Sequence, residues 1–357
     1  MQTNDGMNYA PQGKPNPVVK PGEFAFAAVA LDHGHIYGMC NGLIEAGADL
    51  VAVYDPDPKK VEAFVQKFPQ ARAAASEEEI LQDPNIKLVA AAAVPSERGP
   101  LGVRVMDAGK DYFTDKTPFT KLEHLEAARA KVKETGRKYM VYYSERLHVE
   151  SAMFAGELIE QGAIGRVVQV MGWGPHRLNA PSRPQWFFEK EKYGGILCDI
   201  GSHQIEQFLH YTGAKDATIT SARVANYNNK DYPELEDFGD ATLTGDNGAT
   251  FYFRVDWLTP DGLGTWGDGR TIILGTEGYI ELRKYIDIAR EKTGDHVYLV
   301  NQEGEKHFTV KGQVGYRFFG QLILDCINRT ENAMTQEHAF KAAELCLKVQ
   351  EQAVRVE

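Results

Sequence analysis

The stretch from Phe24 to about Ser144 constrains the fold most, because it alternates short apolar runs with helical segments. The apolar runs are FAAVAL, LVAVYD, KLVAAAAV, DYFTD and KYMVYYS. Strands that are apolar throughout belong to a parallel sheet covered on both faces by helices. The pattern therefore predicts a doubly wound α/β domain of the Rossmann type, whose ligands bind beyond the carboxyl ends of its strands.

The pattern changes after about Glu145. Segments with alternating polarity follow one another, and the turns between them are rich in glycine, namely GDNG, GTEG and NQEG. These features predict an α+β domain with a large, mostly antiparallel open sheet built from hairpins. We therefore divide the chain into an irregular arm (1–23), a Rossmann domain (24–144) and a second domain for substrate binding and oligomerisation (145–357). The last helix is a candidate to pack back on the Rossmann domain.

The arm, MQTNDGMNYAPQGKPNPVVKPG, has neither the apolar core of a signal peptide nor a periodic pattern. We expect it to be disordered or to lie on a neighbouring subunit.

Composition narrows the possible partners. A net charge of −11 argues against nucleic acid and anionic membrane surfaces, which both attract basic proteins. No apolar run reaches the roughly 18 residues of a membrane span. The four scattered cysteines form no CxxC pair, which argues against disulfides and a metal site. We expect a cytoplasmic protein without a bound metal.

The stretch AVALDHGHIYGM lies between a predicted strand and a predicted helix, where a dinucleotide phosphate would bind. Only Gly34 remains of the glycine pattern, while Asp32 and Tyr37 replace the outer glycines. We expect the Asp32 carboxylate to turn away from the phosphate and bond the backbone of the loop, and His33 and His35 to supply the missing hydrogen-bond donors. The alternative is an ordinary turn from strand to helix.

Two further strand ends carry charged residues. Asp55 follows LVAVY and lies 21 residues after Gly34. At about this sequence separation a carboxylate binds the adenosine ribose, which favours NAD over NADP. An aspartate of a turn or helix cap is the alternative, and we expect Lys59 and Lys60 to be solvated at the start of the next helix. Lys116 lies at the end of DYFTD, where it could reach a nicotinamide and a substrate. A solvated turn lysine is the alternative there.

The stretch GGILCDIGSHQIE places Asp199 and His203 four residues apart, on one face if the segment is a single helix. An imidazole oriented by a carboxylate can move protons near neutral pH. A helix-cap aspartate and a buried core histidine are the alternative.

The segments GWGPHR and TWGDGR each place a tryptophan near an arginine, and a tryptophan face can stack on a sugar ring. Packing tryptophans and surface arginines are the alternative. We expect a small polyhydroxylated substrate, and the residues that we predict to bind it are Arg146, Trp173, His176, Arg177, Trp186 and Arg270.

Taken together, these segments resemble the Gfo/Idh/MocA oxidoreductase family. AGKDYFTDKTP is similar to the family's AGKxVxxEKP, with Asp115 in place of the glutamate. GGILCDIGSHQIE is similar to its GGxxxDxGxHxxD, with Glu206 in place of the last aspartate. The resemblance implies a catalytic set of Lys116, Asp199 and His203. PSERGP departs from the family's P-N-x-x-H, so that Arg98 is present and the usual histidine is missing. The cofactor-binding assignments are Asp32, His33, Gly34, His35, Ile36, Asp55, Pro95 and Lys116.

The resulting hypothesis is an NAD-dependent dehydrogenase that acts on a secondary hydroxyl of a sugar, cyclitol or glycoside. In this hypothesis His203 removes the hydroxyl proton, Lys116 stabilises the alkoxide and Asp199 orients His203. One alternative is a redox-neutral sugar-converting enzyme that recycles tightly bound NAD, and another is a non-catalytic NAD-binding sensor. We expect a homodimer or homotetramer.

Overall fold

The computed structural model describes residues 5–356, and within them no helix is both long and apolar enough to cross a membrane. The described chain falls into two compact units. The N-terminal unit comprises residues 7–142 and 316–340, and the C-terminal unit comprises residues 5–6, 143–315 and 341–356.

The N-terminal unit is a Rossmann domain. Its strands are β1 (Ala25–Val29), β2 (Asp49–Tyr54), β3 (Arg72–Ala73), β4 (Ile86–Ala91), β5 (Asp111–Asp115) and β6 (Tyr139–Tyr142). Its helices are α1 (His35–Glu45), α2 (Pro58–Lys67), α3 (Glu77–Gln82), α4 (Pro95–Asp107), α5 (Leu122–Thr135), α11 (Arg317–Asn328) and the first turn of α12 (Gln336–Gln352).

All neighbouring strands of this sheet are parallel, in the order β3-β2-β1-β4-β5-β6. The order reverses between β1 and β4, which opens a crevice at the carboxyl ends of these two strands. Apolar side chains fill both faces of the central strands. Phe26, Val53, Leu88 and Phe113, for example, are fully buried.

Residues 13–18 of the arm lie against the end of α1 of their own chain. The amides of Asn16 and Val18 each lie 2.9 Å from a carbonyl oxygen at the end of α1, those of Glu45 and Ala46. The Gly13 amide donates to the Glu45 carboxylate at 2.8 Å. The expectation of a disordered or partner-bound arm is therefore wrong for these residues, because they satisfy carbonyl groups that the end of a helix leaves without partners. Residues 1–4 of the arm lie outside the described residues.

The C-terminal unit is built on a second sheet. Its strands are β7 (Val167–Pro175), β8 (Ala217–Ala225), β9 (Phe238–Gly245), β10 (Thr250–Asp256), β11 (Arg270–Gly275), β12 (Gly278–Arg283), β13 (His296–Asn301), β14 (Gly304–Thr309) and β15 (Val354–Arg355). Its helices are α6 (Ser144–Leu147), α7 (Glu150–Glu160), α8 (Lys190–Tyr193), α9 (Ile196–Asp199), α10 (Gly201–Thr212) and the remainder of α12.

The order of this sheet is β14-β13-β12-β11-β7-β10-β9-β8-β15, with only the β7–β10 and β8–β15 pairs parallel. Helices α7, α9 and α10 pack on one face. The predicted fold class, a parallel Rossmann sheet followed by a mostly antiparallel sheet, is confirmed.

The unit boundaries differ from the simple division at residue 144, since residues 316–340 group with the N-terminal unit. At the start of α12, the Gln336 side chain bonds both the amide and the carbonyl of Tyr139 on β6.

Candidate active site

In the turn after β1, the side chain of Asp32 points to Lys60. Its carboxylate lies 2.5 Å from the ammonium group of Lys60 on α2, and the same ammonium group is 3.7 Å from Asp55. Burial lowers the pKa of Lys60, but the hydrogen bond and the charges of Asp32 and Asp55 outweigh burial and raise it. Asp32 is therefore neutralised by Lys60 rather than by loop amides. Lys59 is exposed as expected, but Lys60 is not simply solvated.

The two histidines of the turn have different roles. The His33 Nδ1 accepts the amide of His35 at 3.2 Å, which leaves the proton of neutral His33 on Nε2. Burial, together with the nearby charge of His35, holds the pKa of His33 well below its usual range. His33 is therefore an uncharged donor, whereas the Nδ1 of His35 lies 2.9 Å from the Asp115 carboxylate.

Arg98 organises the turn that carries Lys116. It is fully buried and donates to the Ala93 carbonyl at 2.7 Å, to the carbonyls of Lys116 and Thr117, and to Asp115 at 3.1 Å. Burial alone would raise the pKa of Asp115, but the charges of His35 and Arg98 hold it well below its usual range.

Sequence reasoning noted Arg98 only as a departure from the family pattern. A charged residue directly before the position of the missing histidine was the available signal for this role.

His33, His35 and Asp115 could each offer a metal ligand, with ligand atoms within 4.8 Å of one another. The guanidinium group of Arg98 already occupies the same carboxylate, and a second cation beside it would be repelled. The donors suit a hydrogen-bonded charge cluster better than a metal centre, and the expectation of no metal stays a prediction.

The residues of the N-terminal unit fit a dinucleotide. The turn after β1, Asp55 after β2, Pro95 after β4 and Lys116 after β5 all lie at the carboxyl edge of the parallel sheet. The positive end of the dipole of the 11-residue helix α1 lies at this edge, and the uncharged His33 adds a side-chain N–H in the same turn.

Two predicted contacts differ in detail. The carbonyl of Met7 occupies the space where a Cβ of Gly34 would lie, so the arm, and not a phosphate, explains why this residue is glycine. Ile36 is buried, and its amide bonds the carbonyl of His33 at 3.2 Å.

The Asp55 carboxylate already accepts the amides of Leu31 at 2.6 Å and Asp57 at 2.9 Å, although carboxylate oxygens retain further lone pairs for a ribose.

In the C-terminal unit, Asp199 ends α9 and His203 lies in the first turn of α10, so they do not share one continuous helix as expected. Both are buried, with exposed fractions of 8% and 2%. The glycines before them are explained locally, because Gly194 and Gly195 have φ of 89° and 92°. The Gln350 side chain fills the Cβ position of Gly195, so this glycine makes room for Gln350.

His176 belongs to a buried aromatic cluster. Its ring lies 4.4 Å from that of Trp266 and 5.3 Å from that of Trp257, and Trp266 in turn lies 4.2 Å from Tyr285. The His176 Nδ1 donates to the Gly174 carbonyl at 3.1 Å. We call His176, Trp257, Trp266 and Tyr285 the aromatic wall.

Two arginines that were predicted to bind the substrate make hydrogen bonds to groups of the protein itself. Arg146 binds the buried Glu206 carboxylate through Nε at 2.9 Å and also through a terminal nitrogen. The Arg177 terminal nitrogen donates to the carbonyls of Pro260 and Leu263 at 3.0 and 2.7 Å. Both side chains shape the unit, and Glu206, the departure from the family's final aspartate, is the partner of Arg146.

The structure does not bring Trp173 and Arg270 together with His203. The Cβ positions of Gly172 and Gly174 on β7 are met by Gln204 of α10. Because side chains alternate along a strand, Trp173 points to the opposite face, where Arg270 lies 6.0 Å from its ring. Trp186 is half-buried in a short 3₁₀ turn, 5.9 Å from Phe187.

Sequence reasoning missed a buried charge cluster around Glu145. The Glu145 carboxylate accepts Lys284 at 2.9 Å and Gln204 at 3.0 Å, and its other oxygen lies 3.9 Å from the His176 Nε2. No local pattern in SERLH marks Glu145, because its partner is 139 residues away.

The parallel sheet and its switch point define a dinucleotide-binding domain, and comparison with known proteins agrees. Residues 33–143 match an oxidoreductase family with an NAD-binding Rossmann fold, and residues 153–281 match the GFO/IDH/MocA C-terminal domain. The chain belongs to the Gfo/Idh/MocA family, as its motifs predict.

Individual relatives carry related names. The chain is 28% identical to an NAD-dependent scyllo-inositol 2-dehydrogenase of Bacillus subtilis over 264 residues, which cover 72% of this chain and 71% of the relative. It is 26% identical to an NADP-dependent scyllo-inositol 2-dehydrogenase of the same organism, over about half of each chain. A crystal structure from Erwinia carotovora atroseptica SCRI1043 is 53% identical, has a TM-score of 0.91 and covers 94% of this chain and all of its own.

Proposed function

We propose that this oxidoreductase transfers a hydride from a secondary hydroxyl of a sugar, cyclitol or glycoside to NAD. The observation that supports this most is the buried turn after β5, where Arg98 and Asp115 fix the backbone that carries Lys116. A lysine held this way, in a family member that also retains Asp199 and His203, suits acid-base chemistry at an alcohol. The names of the two inositol dehydrogenases support a polyhydroxylated substrate.

The proposed roles follow from the chemistry of the side chains. Bound NAD would accept the hydride. His203 would take the hydroxyl proton, Asp199 would stabilise the resulting imidazolium, and Lys116 would donate a hydrogen bond to the developing alkoxide. His33 would donate to the pyrophosphate without adding charge.

We also propose NAD as the cofactor, because Asp55 at the end of β2 would repel a ribose phosphate. The buried state of all four cysteines fits a cytoplasmic location, which we propose as well.

The test is a screen of scyllo-inositol, myo-inositol, D-xylose, D-glucose and levoglucosan with NAD and NADP, in which the absorbance of NADH or NADPH measures the reaction. We expect Lys116→Ala and His203→Ala to lower kcat by about 10²–10⁴-fold, the usual contribution of a positioned acid or base, while NAD still binds. Lys121→Ala, an exposed lysine after the same turn, is the control. Near-normal turnover in either active-site variant would refute its assigned role. Product without net NADH would instead favour the redox-neutral reaction.

A further inference from the structure

Asp5 and Gly6 lie against residues that the sequence assigns to substrate binding, or directly beside them. Asp5 is only 3% exposed, and its Oδ2 lies 3.0 Å from both the Asn179 amide nitrogen and the Ser182 hydroxyl. A buried carboxylate is costly unless donors satisfy it, and two side-chain donors do so here. Asp5 is therefore anchored on the loop that follows β7.

Asp5 also faces the cation that supports this loop. Arg183 donates to the carbonyls of Leu178 at 2.8 Å and Arg177 at 3.2 Å. Its guanidinium group lies 4.7 Å from the Phe187 ring and 5.1 Å from the Trp257 ring. Burial lowers the pKa of Arg183, and the charges of Asp5 and Asp199 oppose that effect. Asp5 and Asp199 thus both stabilise the charged form of Arg183.

Gly6 lies directly against the aromatic wall. An ideal Cβ on Gly6 would come within 3.1 Å of the His176 ring and 3.3 Å of the Trp266 ring. Such separations leave no room for a larger side chain, so the bare backbone of Gly6 covers the edges of both rings. A ligand that stacks on this wall would have to lie beside Gly6 and Asp5.

We propose that Asp5 and Gly6 complete the substrate-binding wall of the C-terminal unit and determine which polyhydroxylated rings fit it. The inference rests on the proposed function. The aromatic rings supply an apolar face for the ring carbons, and the backbone of Gly6 sets how far along that face a substrate can extend.

The test compares Gly6→Val with Gly262→Val. The first substitution forces methyl groups into His176 and Trp266, whereas the second adds them at an exposed glycine with nothing within 4 Å. With the best substrate among scyllo-inositol, D-xylose and levoglucosan, we expect Gly6→Val to raise KM by about tenfold or more, the usual effect of a misshapen pocket. The NAD dissociation constant should not change, and Gly262→Val should behave as wild type. An unchanged or lowered KM in Gly6→Val would overturn the proposal.

A double-mutant cycle tests the anchor. Asp5→Ala and Ser182→Ala should each raise KM, and the double variant should be less impaired than the product of the two effects, because the residues share one contact. Independent effects would overturn the anchor.

Hydrogen exchange separates this inference from the proposed function. In wild type without substrate, the amides of residues 176–180 and 182–183 should exchange slowly, and Gly6→Val but not Gly262→Val should accelerate them. A wild type that forms no NADH with any probe would refute the proposed function. Equal exchange in all three proteins would refute the cover over the wall, whether or not the enzyme is active.

Discussion

At the scale of single residues, Asp32 and Lys60 form a pair that bears on cofactor choice. Lys60 lies beside Asp55, where the adenosine ribose is expected, but its charge is engaged by Asp32. Asp32→Ala should free the ammonium group for a ribose phosphate and raise kcat/KM for NADP relative to NAD by about tenfold, which corresponds to one charged hydrogen bond. Steady-state kinetics with both cofactors measures the ratio, and Lys59→Ala is the control. An equal loss with both cofactors would contradict the prediction.

His33 makes a prediction about pH. Burial lowers its pKa in the folded protein, so the unfolded chain binds a proton at higher pH than the folded one. The stability that neutral His33 provides is present above its ordinary pKa of about 6.5 and is lost as pH falls, by up to about 1.4 kcal/mol per pH unit. Urea unfolding between pH 7.5 and 5 should therefore depend less on pH in His33→Gln than in wild type. His338→Gln, on a half-exposed helix face, is the control. An identical slope in His33→Gln and wild type would show that this residue does not titrate as proposed.

At the scale of elements, one side chain of α4 fixes the turn that follows β5. Arg98→Met would leave Asp115 buried beside His35 without its guanidinium partner, and breaking such a pair costs about 3–5 kcal/mol. We expect lower stability in urea and a lower kcat, because Lys116 loses its backbone support. Arg104→Met, on the exposed side of the same helix, should cost about 1 kcal/mol or less. If Arg98→Met falls within that range, the turn does not depend on Arg98. Arg98→Lys keeps the charge and serves if the methionine variant does not fold.

At the scale of the whole molecule, the second sheet leaves one face partly apolar and open. Leu274 and Tyr279, each 42% exposed, pair across β11 and β12 on the face that also carries Ile272, Met171 and Trp173. Exposed apolar patches of this kind mark association surfaces. We propose a homodimer or homotetramer built on this face, and expect Leu274→Asp to dissociate it in analytical ultracentrifugation. Ile327→Asp, on an exposed position of α11, is the control. A monomeric wild type would contradict the proposal.

The sequence by itself determined the architecture and the approximate position of the site. The apolar runs and their helical spacers predicted the doubly wound sheet, and the ends of the strands located Asp55, Pro95 and Lys116 at one edge. These features depend on periodicity and on the direction of parallel strands, which a short stretch of sequence contains. The family motifs added Asp199 and His203.

Only the tertiary structure decided which groups neutralise one another. Asp32 binds Lys60 rather than loop amides, Arg98 supports Lys116, and Trp173 faces away from His203. The contact between Asp5 and Ser182 joins residues 177 positions apart. Such pairings depend on where distant elements pack, and neither the spacing nor the type of a residue encodes its partner. The pattern of polarity along the chain therefore predicts the sheets, whereas only packing in three dimensions assigns each buried charge its counter-charge.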